Sequence, residues 1–154
     1  MKTHSLRRGV AEHPFFEDLD ARWVDFLVSC ARNERFEAGT YLAREGDGEH
    51  RIYLIRTGRV AVEKAVHHRP LVVQTYGPGE VLGASGLTPP YVWAFDARAV
   101  ESTRVISLDA VCLRRKCEAD PALGYVLLQR FSQDLERRLY GAWMQMADVY
   151  GPPQ

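Results

Sequence analysis

The sequence carries no surplus of either charge: 20 Lys and Arg stand against 20 Asp and Glu in 154 residues, and the sequence pI is near 7.0. Counterion-releasing contact with DNA or RNA needs Lys and Arg concentrated on one face, so no direct nucleic-acid role is expected. Long apolar runs are missing too. Stretches such as Ile52-Tyr53-Leu54-Ile55 fall far short of the roughly 20 residues that span a bilayer, and no membrane role is expected. The opening Met1-Lys2-Thr3-His4-Ser5-Leu6-Arg7-Arg8-Gly9 lacks the apolar stretch and cleavage site of a secretory signal. Cysteine is scarce. Cys30, Cys112 and Cys117 are too few and odd in number for a disulfide framework, which reads as reduced thiols in a cytoplasmic protein. Cys112 and Cys117 flank Leu113-Arg114-Arg115-Lys116 with no second Cys or His pair nearby, so no metal is expected.

What is present suffices for one domain over residues 1–154, since 46% of the residues are hydrophobic and a chain of this length buries well over half of its unfolded surface. The hydrophobic period changes twice along it. His13-Pro14-Phe15-Phe16 reads as a turn, and from Leu19 to Ala31 the residues Leu19, Trp23, Phe26, Leu27 and Cys30 recur at helical spacing, capped by Asp18 or Asp20. Short strand-like segments follow: Arg35-Phe36-Glu37, Tyr41-Leu42-Ala43, Ile52 to Arg56, Arg59 to Lys64, Leu71 to Tyr76, Trp93 to Val100 and Arg104 to Leu108. Gly39, Gly46, Gly48, Gly58, Gly77 and Gly79 punctuate them as turn residues. The expected fold is mainly β with flanking helices: a double-stranded β-helix (jelly-roll) barrel over about 34–108, an N-terminal helix, and C-terminal helices over about 109–149.

Asp109 is placed to cap a short helix through Cys117, and Pro121 opens a longer one to about Val149. In the longer helix Leu128, Phe131, Leu135, Leu139, Ala142, Met146 and Val149 advance by threes and fours. A helix of that length reaches about 40 Å at 1.5 Å per residue, more than a small barrel covers. Its stripe either folds back over the barrel or pairs with a second copy, and a homodimer is the expectation, although Gly141 and Arg138 interrupt the seam. Gly151-Pro152-Pro153-Gln154 stops the helix.

Three stretches carry a resemblance. They are His13-Pro14-Phe15-Phe16 with Leu19; Phe36-Glu37-Ala38-Gly39 through Leu42, Glu45-Gly46-Asp47 and Ile52-Tyr53-Leu54-Ile55 to Gly58; and Pro78-Gly79-Glu80-Val81-Leu82-Gly83-Ala84-Ser85-Gly86-Leu87. Together, over about residues 13–140, they resemble the cyclic-nucleotide-binding domain family, and the third stands where that family has its phosphate-binding cassette. The resemblance implies a site for a cyclic phosphate: amides at a short helix start, a Gly for close approach, an Arg for the anion, a Glu for the ribose 2′-OH, and a hydroxyl beside the Arg.

Here Gly83 keeps the glycine, and the amides of Ser85, Gly86 and Leu87 are expected at the helix start, but Ala84 replaces the Glu, Trp93 the Arg, and Ala94 the hydroxyl residue. Each hydrogen bond to a charged group contributes about 1.5–3 kcal/mol, so these losses together weaken a cyclic nucleotide by about three powers of ten. Arg98 is a poor substitute, since strand alternation puts it on the face of Ala94 and Asp96, opposite Trp93, with Asp96 as its expected neighbour. Trp93 then has two readings. Either it fills the vacated space as core, or it forms one wall of an apolar ligand site with Phe95, Leu82, Tyr91 or Tyr76.

Other chemistries find little support. His67-His68, the one close histidine pair, would point to opposite faces of a strand, and no spacing selects His50, His67 or Cys112 for haem. No carboxylate stands beside a nucleophile in a catalytic pattern, so no enzyme is expected. Relatives that regulate transcription continue from the long helix into a helix-turn-helix domain, whereas this sequence ends there. The resemblance therefore implies a regulatory or adaptor protein with a degenerate cassette, acting through an unidentified protein partner. Its barrel would bias the terminal helix, and a cyclic AMP or GMP sensor is the alternative. The Arg114-Arg115-Lys116 run reads as a solvated helix face.

Overall fold

Every strand-like run in the sequence has a counterpart in the computed structural model, which describes residues 2–48 and 51–151. His50 and the terminal Pro152-Pro153-Gln154 lie outside the described residues. The strands are β1 (Ala31–Phe36), β2 (Tyr41–Ala43), β3 (Arg51–Thr57), β4 (Val60–Val66), β5 (Arg69–Tyr76), β6 (Val81–Leu82), β7 (Asp96–Ala99) and β8 (Thr103–Asp109). They pair antiparallel into two four-stranded sheets, ordered β1-β8-β3-β6 and β2-β7-β4-β5, rather than one closed barrel. Ala43, Tyr53, Ile55, Val60, Val62, Leu82, Trp93, Ala97 and Val105 form a core drawn from both sheets. By alternation, Ile52, Leu54, Ile106 and Leu108 fall on the opposite face of the first sheet, and all four are also buried. This double burial explains why β3 reads as a continuous apolar run rather than an alternating one.

Four α-helices are described with the strands in chain order: α1 (Lys2–Glu12), α2 (Ala21–Ser29), α3 (Ala110–Ala119) and α4 (Pro121–Tyr150). The chain divides into two compact units, 1–116 and 117–154. Asp20 caps α2 by accepting the Arg22 amide at 2.8 Å, and Asp109 accepts the Cys112 amide at 2.9 Å at the start of α3. Asp120 caps α4, with Pro121 in its first turn as expected.

Several expectations need correction. Helix α2 ends at Ser29 and the chain turns at once into β1, because Cys30, its C-cap, is followed by a segment that pairs residue for residue with β8 from Ala31↔Leu108 to Phe36↔Thr103. Helix α1 had no counterpart in the sequence reading, because its apolar face is a single patch of Leu6, Gly9 and Val10 rather than a repeating stripe. Gly9 permits the close approach, since a Cβ there would stand 2.8 Å from the Ile106 side chain. The two-residue β6 is also too short to show a period. His67 and His68 sit in the β4–β5 turn with φ of 52° and 64°, in keeping with the polar turn expected before Pro70.

The largest correction concerns the cysteines. Cys30 and Cys112, read as reduced thiols, form a disulfide that ties the end of α2 to the first turn of α3 across 82 residues of sequence. No local spacing signals a pair so far apart, and the cysteine argument for the cytoplasm falls with it. Cys117 remains a free thiol, and burial, followed by the nearby charges of Asp120 and Glu118, pushes its pKa up. That leaves it protonated and unreactive near neutral pH.

His13 shows how the opening turn is fastened. Its Nδ1 accepts the Phe15 amide at 3.2 Å, which leaves Nε2 to donate to the Ile55 carbonyl at 3.1 Å. Burial lowers the pKa of this imidazole, outweighing the Ile55 hydrogen bond, and Arg56 lowers it further. A base with a depressed folded-state pKa binds fewer protons than the unfolded chain, so stability is lost as pH falls below the unfolded value of about 6.5. Denaturant titrations at pH 7.5 and 5.5 should show a lower midpoint at the acid pH, and His13→Asn should shrink that difference while lowering stability at both.

Candidate functional site

Strand β6 runs directly into the stretch expected to be the cassette. Gly83 takes a left-handed conformation with φ of 103° and starts a single 3-10 turn over Ala84–Leu87. Only glycine fits, since a Cβ would stand 3.0 Å from the Arg51 carbonyl oxygen and 3.3 Å from the Trp93 ring, in a region of φ that side chains avoid. The Gly86 amide, expected at a helix start open to an anion, is spent on the Gly83 carbonyl at 3.0 Å. The cassette backbone is thus the expected glycine turn, but a tight one.

Trp93 occupies the centre of the site. It is 8% exposed and belongs to the same core cluster as Leu82, with Tyr76, Phe36 and Leu42 packed against it. Its ring lies 6.2 Å from that of Tyr53, which meets Phe36 edge-on at 5.8 Å, and the Tyr53 hydroxyl donates to the Leu42 carbonyl. Its backbone is held on both sides, donating to Asp47 at 2.9 Å and accepting from Gly46 at 2.8 Å. Of the residues named beside Trp93 as an apolar wall, Leu82 and Tyr76 join the cluster. Phe95 is 39% exposed with Lys64 over its ring, and Tyr91 lies under Arg114. Ala94 is exposed.

Arg98 does not turn inward. Its Nε donates to Glu63 at 2.7 Å, and Glu63 is 3% exposed, so the pair is internal to the outer face of the second sheet. Asp96, expected beside Arg98, instead accepts the Glu45 amide at 2.7 Å and lies 3.5 Å from Arg44. Arg98 lies on the face that alternation assigns it, but its partner is Glu63 and not Asp96: Arg98 stands opposite Ala61 in the β4–β7 register, and Glu63, two residues along β4, shares that face.

The basic run of α3 is only partly a solvated face. Arg114 donates to the Gly86 carbonyl and lies 4.1 Å over the Tyr91 ring, so it clamps the cassette turn, while Lys116 lies 5.6 Å over Phe26.

In α4 the buried positions are Leu123, Gly124, Leu127 and Phe131, so the stripe begins one position away from the expected Leu128, which is 45% exposed. Beyond Phe131 the expected residues are open, with Leu135 59%, Leu139 50% and Met146 58% exposed and Ala142 exposed beside them. Arg138 is held by Asp134 at 3.0 Å. No α-helix among the described residues is long and apolar enough to cross a membrane.

The family model described as "Cyclic nucleotide-binding domain" matches residues 33–120, more than half of the chain. No curated protein matches the chain. Among solved structures, a cyclic nucleotide-binding domain from Methylobacillus flagellatus superposes with a TM-score of 0.81 at 21% identity, over 96% of this chain and 86% of that one. The regulatory subunit of a cAMP-independent protein kinase A from Trypanosoma brucei gives 0.71 at 21%, over 93% and 52% of the respective chains. The catabolite activator protein of Thermus thermophilus gives 0.68 at 22%, over 89% and 63%. At these identities the three establish a shared fold.

Proposed function

Because the chain belongs to the cyclic nucleotide-binding domain family, we propose that it is a non-enzymatic regulatory or adaptor module whose cassette is closed to cyclic nucleotide and which acts through protein contacts. One observation carries this reading: Trp93, at the position where the resemblance places the phosphate Arg, is a buried core residue lying 3.3 Å from where a Gly83 side chain would start. An indole there offers an anion neither charge nor a strong donor fork. Ala84 removes the ribose acceptor, and Arg98 is committed to Glu63. Isothermal titration of the full chain with cyclic AMP and cyclic GMP should give no saturable heat below about 1 mM. Saturation near about 10 μM would instead establish the sensor reading, which the retained Gly83 turn favours.

The partner surface in this reading is the outer half of α4. Leu135, Leu139, Trp143 and Met146 are each at least half exposed, and an apolar row of that length is costly to leave in water. Pairing with the same helix of a second copy covers it by the helix packing that joins antiparallel or parallel bundles. Sedimentation velocity should find a dimer, and Leu135→Asp with Leu139→Asp should give a folded monomer. A wild-type chain that stays monomeric at high concentration would leave the row to a different protein.

A further inference from the structure

A second charged site lies outside the core, on the outer face of the first sheet. Arg35 of β1 and Arg104 of β8 are direct partners in the antiparallel register, and Arg56, at the irregularity where β3 leaves its pairing with β8, joins them. The three arginines line one hollow of about 340 Å³ with Asn33 and Val105. Like charges directly opposite across strands destabilise a sheet, so this arrangement works against the fold unless something negative offsets it.

The protein does little to offset it. Among the described residues neither Arg56 nor Arg104 has a carboxylate within ion-pair distance, while Arg35 has only the exposed Glu37 at 3.3 Å. Glu34, which also lines the hollow, is engaged by Arg32 at 3.0 Å and lies 3.6 Å from Arg51. Glu12, which lines a second hollow with Arg56, is held by Arg8 at 3.0 Å. Arg7 and Arg8 of α1 are themselves matched, whereas Arg56 and Arg104 of the hollow are not.

We infer that Arg35, Arg56 and Arg104, with Asn33 as a neutral donor, form an anion site for a phosphate-bearing group. Guanidinium forks match phosphate oxygens in pairs, and three of them suit a group carrying two or more negative charges. A hollow of this size takes a phosphate or diphosphate group and not a folded polymer. The site is on the opposite face of the first sheet from the core that holds Leu82 and Trp93.

Inorganic pyrophosphate is the probe for a free phosphate, and phosphatidylcholine vesicles containing phosphatidic acid are the probe for a lipid headgroup. In thermal unfolding of the full chain, pyrophosphate at ten times its Kd should raise the midpoint by about 4 °C. Amide resonances of Asn33, Arg35, Arg56 and Arg104 should shift in the same titration. If the headgroup is the source, vesicle co-sedimentation replaces these responses. Arg56→Gln with Arg104→Gln should abolish whichever response is seen. Without any anion, Arg104→Gln alone should unfold at the same or a higher temperature than wild type, because it relieves the cross-strand repulsion. A response reproduced by NaCl at matched ionic strength, one that survives the double substitution, no response to either probe, or a fall in the Arg104→Gln midpoint would each overturn the assignment.

Discussion

Ala84→Glu combined with Trp93→Arg should convert the chain into a cyclic-nucleotide binder, tightening the affinity for cyclic AMP by about three powers of ten, into the micromolar range. The backbone such a ligand needs is already in place: Gly83 holds its left-handed turn, and the Arg51 carbonyl oxygen, 3.0 Å from where a Cβ would stand, reserves the position for glycine even without the Trp93 ring. Removing the indole vacates the space in front of Gly83. The new guanidinium and carboxylate supply the two charged contacts that the resemblance assigns to phosphate and ribose, each contributing about 1.5–3 kcal/mol. The same substitution has a cost in the empty protein. Truncating a buried aromatic costs about 3–5 kcal/mol, and a charge placed among Tyr53, Leu82 and Tyr76 adds to it. The variant should therefore unfold at a much lower temperature alone and recover with saturating cyclic AMP. Calorimetric titration beside thermal unfolding reads both effects, and a folded variant that ignores the nucleotide would show that the cassette lies elsewhere.

Removing the Cys30–Cys112 bond should be the most destabilising change that leaves every other contact in place. The bond closes a loop of 82 residues that contains all of the two-sheet core. On the chain-entropy account, a loop of that length stabilises the folded state by about 4 kcal/mol, mostly by restricting the unfolded chain. Cys30→Ala with Cys112→Ala should lower the denaturant midpoint by an amount of that order with little change in the slope, and dithiothreitol should do the same to the wild type but nothing to the variant. Thiol titration provides the prior check: one reactive group in the denatured, unreduced protein and three after reduction. Three before reduction would mean that the pair is open.

How much of this was legible in sequence depended on whether the information was local. Most of the strands from β2 to β8 were readable because turn residues bound them, with β3 standing out as a continuous apolar run and the two-residue β6 escaping notice, and α4 was readable because Pro121 marks its start. Helix α1 was not, since Leu6, Gly9 and Val10 make one patch without repetition. Within the site, the replacements at Ala84 and Trp93 were visible from their places along the chain. Their consequence was not, because whether Trp93 lines a cavity or fills it is decided by Tyr53, Leu82 and Tyr76 arriving from three other strands. The Arg98–Glu63 pair, the Arg114 clamp and the disulfide share that property: they join residues 35, 28 and 82 positions apart. The outer arginines illustrate it most simply, since a neutral total charge conceals three like charges brought together by register.

The first turns of α3 have a place in the unit of residues 1–116 that their length does not suggest. Cys112 is bonded to the end of α2, and two residues later Arg114 grips the carbonyl of Gly86 and the face of Tyr91. The cassette turn is therefore joined through half a turn of helix to the helix on the far side of the chain's first strand. Such a linkage behaves as a keystone. Any rearrangement of the turn over residues 84–87 therefore has to break the Arg114 contacts or carry α3 with it.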